Sequence, residues 1–204
     1  LFQNKPGCSN FYLTSMLRCP NHVIALSMMN NNKFRIVITG VENSGKSTLI
    51  KPLAEKFNWP FILELCRENE AVLNGTETFE TLKELHQLEE NKFEEIVNST
   101  SANGVFCDTA GLVLDLWAES VFGKRVTTKS SSRKIDLYLL CETIEKWEDD
   151  PIRLIPNHQE RVEKNNEFRA RLEFEKVPYI NIPVMPLEER VEFAERKIKE
   201  ILDV

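Results

Sequence analysis

Gly40-Val41-Glu42-Asn43-Ser44-Gly45-Lys46-Ser47, with Thr48 behind it, has the residue types and spacing needed to hold a polyphosphate. The stretch fits G-x-x-x-x-G-K-[ST], the Walker A pattern. Gly40 and Gly45 permit backbone turns closed to residues with a Cβ, so that successive N–H groups point at phosphate oxygens. A helix starting near Gly45 would add its positive end. Lys46 is long enough to reach the β- and γ-phosphates, and the Ser47 hydroxyl is placed to ligate Mg²⁺. Glu42, Asn43, Ser44 and Thr48 complete the loop expected to bind ATP.

Other residues could act on what the loop holds. Asp108 ends the apolar run Val105-Phe106-Cys107, where an acid can hold Mg²⁺ or its water; it could also cap the next helix. Glu64 reads as a base for a substrate hydroxyl, an outer metal group or an exposed strand-end charge. Arg67 either holds a substrate anion or pairs with Glu68. His86, among glutamates, reads as a solvated histidine. Trp147 could be core or a stacking platform. Asp108-Thr109-Ala110-Gly111 spells D-x-x-G, which opens a second reading, a GTPase-like switch or ATPase binding module. Such a switch needs a guanine-reading N-K-x-D, and the sequence contains none.

The elements that must position these groups follow from periodicity. Phe34–Thr39 is short, apolar and β-branched, a buried strand. Leu49, Ile50, Leu53 and Phe57 form a helical stripe after the loop, with a bend expected at Pro52. Residues 59–66 read as a second strand and 79–97 as a helix. A strand over 105–108, a helix over 112–122, a Ser/Thr/Lys loop over 123–133 and a strand over 135–141 follow. Phe168, Leu172 and Phe174 suggest a helix, Tyr179–Ile182 a fifth strand, and 187–202 a closing helix. This alternation predicts an α/β fold of the P-loop NTPase type, a five-stranded parallel sheet with helices on both faces. Ligands on such sheets sit at the carboxyl ends of the strands, where Gly40, Glu64 and Asp108 fall.

Composition narrows the classes. The net charge of −6 over 204 residues offers no basic field for nucleic acid. No apolar run is long enough for a membrane span. The five cysteines form no C-x-x-C pair, and Cys66, Cys107 and Cys141 lie in apolar runs. They read as reduced core residues of a cytoplasmic protein. Residues 1–32 lack a sustained period and contain Asn30-Asn31-Asn32. They are expected to be poorly ordered, with Met28 or Met29 as the natural start and residues 33–204 as one kinase domain.

From Lys33 onward the chain resembles the ribosylnicotinamide kinase domain of the bifunctional NAD-biosynthesis regulators. Four stretches carry the resemblance in order: the Walker A loop through Leu49; Glu64-Leu65-Cys66-Arg67-Glu68; Phe106-Cys107-Asp108-Thr109; and Asp136-Leu137-Tyr138-Leu139-Leu140, followed by Trp147 to Arg153 and Arg161. The chain departs from the family at Leu65-Cys66 and over Pro183–Pro186, and it lacks the nucleotidylyl-transferase half. The resemblance implies transfer of the ATP γ-phosphate to a nucleoside-like small molecule, nicotinamide riboside above all, with ATP and Mg²⁺ required. It implies catalytic roles for Lys46, Glu64, Asp108, Arg153 and Arg161, substrate binding by Glu64 and Arg67, and metal binding by Ser47 and Asp108. The polar stretch 147–161, interrupted by Pro151 and Pro156, would then be a lid whose Arg153 and Arg161 reach the transferring phosphoryl group.

Overall fold

The alternating faces of the strands settle how the chain is layered. In a computed structural model that describes residues 33–127, 135–150 and 153–204, strand β1 (Phe34–Thr39) turns Ile36 and Ile38 to one face and Val37 to the other. Ile36 and Ile38 pack with Leu49, Ile50 and Leu53 of helix α1 (Lys46–Phe57) and Val191, Ala194 and Ile198 of α6 (Leu187–Leu202). Val37 packs with Phe93 and Val97 of α3 (Phe79–Ser99) and Phe168 and Leu172 of α5 (His158–Glu175). Each face of the sheet is therefore buried under helices. Burying side chains such as these contributes about 1.5–3 kcal/mol apiece.

Five strands occur among the described residues, all parallel, in the order β2-β3-β1-β4-β5. They are β1, β2 (Phe61–Ile62), β3 (Gly104–Asp108), β4 (Leu137–Cys141) and β5 (Tyr179–Ile182). The remaining helices are α2 (Glu70–Leu73) and α4 (Gly111–Phe122). The expected α/β fold with a five-stranded parallel sheet is present. Placing β1 between β3 and β4 brings the loops that leave these three strands to one edge, where Gly40, Asp108 and Glu142 begin them.

Several elements differ from the sequence reading. The second strand shrinks to Phe61–Ile62, and Leu65–Glu68 forms a 3₁₀ turn capped by Glu64. Apolar character had suggested a longer strand, but Leu65 and Cys66 are buried within the turn, which serves them as well as a strand would. Helix α1, by contrast, runs through Pro52 to Phe57, so the proline does not end it, as the periodicity of Leu53 and Phe57 implied. Helix α5 begins at His158, inside the stretch expected as a lid, with the Asn157 side chain accepting from Glu160 N at 3.1 Å. His86 is 5% exposed, not solvated. It shares the buried face of α3 with Glu89, Glu90 and the ion pair of Arg35 to Glu90 at 2.7 Å.

The N-terminal segment 1–32, most of the 123–133 loop, and Pro151 and Ile152 of the expected lid lie outside the described residues. No described helix is long and apolar enough to cross a membrane.

Candidate functional site

Strand β1 hands the chain to the phosphate loop through a tight passage. Gly40 has φ +130°, and a Cβ there would stand 2.7 Å from the Cys141 carbonyl of the neighbouring strand end, so only glycine fits. Gly45, at φ +75°, is the residue from which α1 starts. The loop between them is held from three sides. Asn165 of α5 accepts from Val41 N at 3.2 Å. Asn43, itself at φ +56°, donates its amide to the carbonyls of Ile144 and Lys146 at 3.3 and 2.8 Å. Arg190 of α6 donates to the carbonyl of Ser44 at 3.0 Å. A loop so braced presents its amides without reorganisation. Lys46 Nζ donates to the carbonyls of Gly40 and Val41 at 2.9 and 3.0 Å, at the mouth of the loop. Thr48 Oγ1 bonds the Gly45 carbonyl at 2.8 Å.

The two residues expected to share a metal ion face one another. Ser47 Oγ donates to Asp108 Oδ2 at 2.6 Å, and Thr109 Oγ1 to Asp108 Oδ1 at 3.3 Å. Asp108 is 1% exposed and has hydroxyls, not a cation, as partners. A buried carboxylate is normally compensated by positive charge, and a hydroxyl with a carboxylate is a hard oxygen pair suited to Mg²⁺. The donor set fits the metal. No group of three or more His, Cys, Asp or Glu suited to a metal occurs among the described residues. Asp108 is not a helix cap, since Ala110 stands at the N-cap of α4. Thr109, which follows Asp108, is buried at φ +68°, a conformation costly for a β-branched residue. The sequence carries no signal of this strain, which holds Asp108 at the strand end.

A cavity of about 690 Å³ opens on this loop. Glu64 and Arg67 line it, and so do the apolar side chains Val113, Leu116, Trp117 and Phe168. Arg67 Nε donates to Glu64 at 3.0 Å and its Nη1 to Asp150 at 2.9 Å. The guanidinium thus bridges two carboxylates, and Glu68, offered by the sequence as its partner, is not used. Both carboxylates hold its charge above the ordinary arginine range against partial burial.

The stretch after β4 closes over the loop by side chains of the loop itself. The Glu42 carboxylate accepts from the amides of Leu154 and Ile155 at 2.8 and 2.5 Å. Arg153 Nη1 donates to Asn43 Oδ1 at 3.0 Å and to the Glu148 carbonyl at 2.7 Å. Glu42, Asn43 and Arg153 are therefore brought to the cavity as expected, although the first two brace loop and lid instead of pointing only at a ligand. Arg161 is a correction. It is fully buried, and its two Nη groups donate to the carbonyls of Ile155, Pro156, Ile144 and Glu145 at 2.7–3.1 Å. Its guanidinium lies 4.9 Å from the Trp147 ring. With both Nη groups on backbone carbonyls and no surface exposed, the side chain is a brace beneath the stretch after β4, and only its Nε is without an acceptor. Trp147 is accordingly tied to Arg161 and, through Nε1, to Asp149 at 2.7 Å.

Gly111 of the D-x-x-G stretch opens α4, where a Cβ would stand 2.7 Å from the Thr127 methyl group and 3.3 Å from the His86 ring. The glycine serves close packing. Cys141 lies beneath the loop, where burial pushes its thiol up to about 11 against the pull of Arg190 and Lys46. Arg190 and Asn165 are the residues the sequence reading missed, for each is a lone polar residue inside an otherwise ordinary helical stripe.

Residues 35–190 match the family model described as AAA domain. The chain belongs to this AAA-domain family. No curated protein matches the sequence. Among solved structures, the AAA-domain chain is similar to the NadR protein in complex with NR, with a TM-score of 0.66 and 21% identity, over 84% of this chain and 52% of that one. It is also similar to deoxyadenosine kinase from M. mycoides with bound dATP (TM-score 0.61, 11% identity, 81% of this chain and 100% of that one). Thymidylate kinase from Candida albicans gives 0.56 and 17% identity, over 82% and 91%. These likenesses establish a P-loop NTPase fold. The AAA-domain chain spans about half the length of the NadR chain it matches.

Proposed function

We propose that the protein is an ATP-dependent kinase that transfers the γ-phosphoryl group to a hydroxyl of a nucleoside-like small molecule, with nicotinamide riboside as the acceptor. The observation that carries the proposal is one cavity lined by two unlike sets of groups. The preformed loop with Lys46 suits a polyphosphate. Val113, Leu116, Trp117 and Phe168 suit a flat ring, and Glu64 lines the same cavity. The similar NadR structure holds NR and the similar deoxyadenosine kinase structure holds dATP, a nucleoside and a nucleoside triphosphate, which supports both ligand classes. The compartment we propose is cytoplasmic, in keeping with free, buried Cys66, Cys107 and Cys141.

In this reading the loop amides and Lys46 hold the β- and γ-phosphates. Ser47 and Asp108 would hold Mg²⁺, which neutralises charge on the phosphates. Glu64 accepts the proton of the acceptor hydroxyl as its oxygen bonds to the γ-phosphorus and ADP departs. Arg67 orients Glu64 through its 3.0 Å hydrogen bond. Arg153, fixed on Asn43 and the Glu148 carbonyl, stands where a guanidinium can stabilise the transferring oxygens. The covering segment restricts water, the competing acceptor.

Two substitutions separate the acids. Asp108→Asn should weaken Mg²⁺–ATP binding and also slow turnover. Glu64→Gln should leave Mg²⁺–ATP affinity unchanged while kcat falls about a hundredfold. The reverse pattern would exchange the roles, and wild-type kcat in Glu64→Gln would remove Glu64 from the chemistry.

A further inference from the structure

Arg190 is a buried cation with no counter-charge of its own. It sits in the first turns of α6, 4% exposed, with Nη2 on the Ser44 carbonyl at 3.0 Å. Its Nε has no acceptor, and it forms no ion pair among the described residues. The other buried arginines are compensated differently. Arg35 has the Glu90 carboxylate at 2.7 Å, and Arg161 has four carbonyls, although the Nε of each is likewise without an acceptor. Taking a guanidinium out of water with few partners is costly, so Arg190, with one carbonyl and no anion among the described residues, points to an anion that arrives from outside.

The position of Arg190 says where. A Cβ on Gly45 would lie 2.5 Å from its Nη1, so the guanidinium packs directly on the glycine from which α1 begins. It also lines the cavity that holds Lys46. Two cations without carboxylate partners, Lys46 and Arg190, thus flank the same loop. We propose that Arg190 is a nucleotide-binding residue, a second fixed positive charge for the polyphosphate, whose hydrogen bond to Ser44 holds that charge at the loop. The assignment rests on reading the cavity as a nucleoside triphosphate site.

The test compares ATP, tripolyphosphate and adenosine by calorimetry on wild type, Arg190→Gln and Arg190→Lys, with melting temperature recorded for each. Arg190→Gln keeps a donor for the Ser44 carbonyl but removes the charge. It should weaken ATP and tripolyphosphate about tenfold or more while adenosine changes by less than about twofold. Arg190→Lys should stay within about threefold of wild type for ATP. In the wild-type protein, the Arg190 Nε–H resonance should shift with ATP and with tripolyphosphate but not with adenosine, a measurement that does not depend on a variant folding. Unchanged ATP affinity in Arg190→Gln, equal losses for ATP and adenosine, or an indifferent Nε–H resonance would each overturn the assignment. A wild-type protein that binds neither ATP nor tripolyphosphate would overturn the nucleotide reading itself.

Discussion

Buried charge is the theme at the scale of single residues, and its meaning depends on the neighbours. Asp108 has two hydroxyl partners and no cation, which marks a metal position. Glu89, on the buried face of α3, is a different case. Its carboxylate lies 4.0 Å from His86 Nδ1, and burial pushes its titration above the ordinary carboxylate range although His86 and Arg35 pull it down. A group raised in the folded state contributes stability that is complete below the ordinary range and lost as the pH rises through its own raised value. At neutral pH, where a free carboxylate is ionised, burying Glu89 therefore costs stability. Glu89→Gln should raise the melting temperature by about 2–4 °C at neutral pH, and the gain should vanish at about pH 4. Thermal melts across pH check this; a gain equal at both ends would mean that charge burial is not the cause.

Among the elements, the strands and the phosphate loop were legible and the lid was not. β1, β3 and β4 are continuous apolar runs bounded by polar residues, the pattern of a strand buried on both faces, and the loop followed from four positions. The first turns of α5 escaped because their buried positions are Arg161 and Asn165. A periodicity of polar residues reads as surface until their partners, here carbonyls and a loop amide, are known. The same blindness made His86 look solvated and lengthened the second strand, since apolar residues at 65 and 66 can be buried as well in a turn. The distinction between the two lid arginines can be measured. Arg161→Ala leaves four buried carbonyls without their donor, and should lower the melting temperature by about 10 °C. Arg153→Ala should leave melting nearly unchanged and lower kcat about thirtyfold or more, with Arg153→Lys a poor rescue because the forked donor geometry is lost. Equal losses of stability in both variants would contradict this division.

At the scale of the whole molecule, the strand order decides the function the chain can perform. Sequence showed that the sheet is parallel, but apolar strands are interchangeable in composition, and nothing in them says that β1 lies between β3 and β4. That order brings Gly40, Asp108 and the chain after Cys141 to one edge. Glu64 lines the same cavity, and in the proposed function this edge is where a phosphoryl group leaves one molecule for another. Free thiols fit the same picture, for burial pushes Cys66 and Cys107 up to about 12 and leaves them inert. The central claim is transfer to a hydroxyl in preference to water. Incubating the protein with Mg²⁺ and ATP labelled at the γ-phosphate, with and without nicotinamide riboside and other nucleosides, tests it most directly. The account predicts label in the nucleoside monophosphate and little in inorganic phosphate when no acceptor is present. Label appearing only as inorganic phosphate, at the same rate with every acceptor and with none, would contradict it.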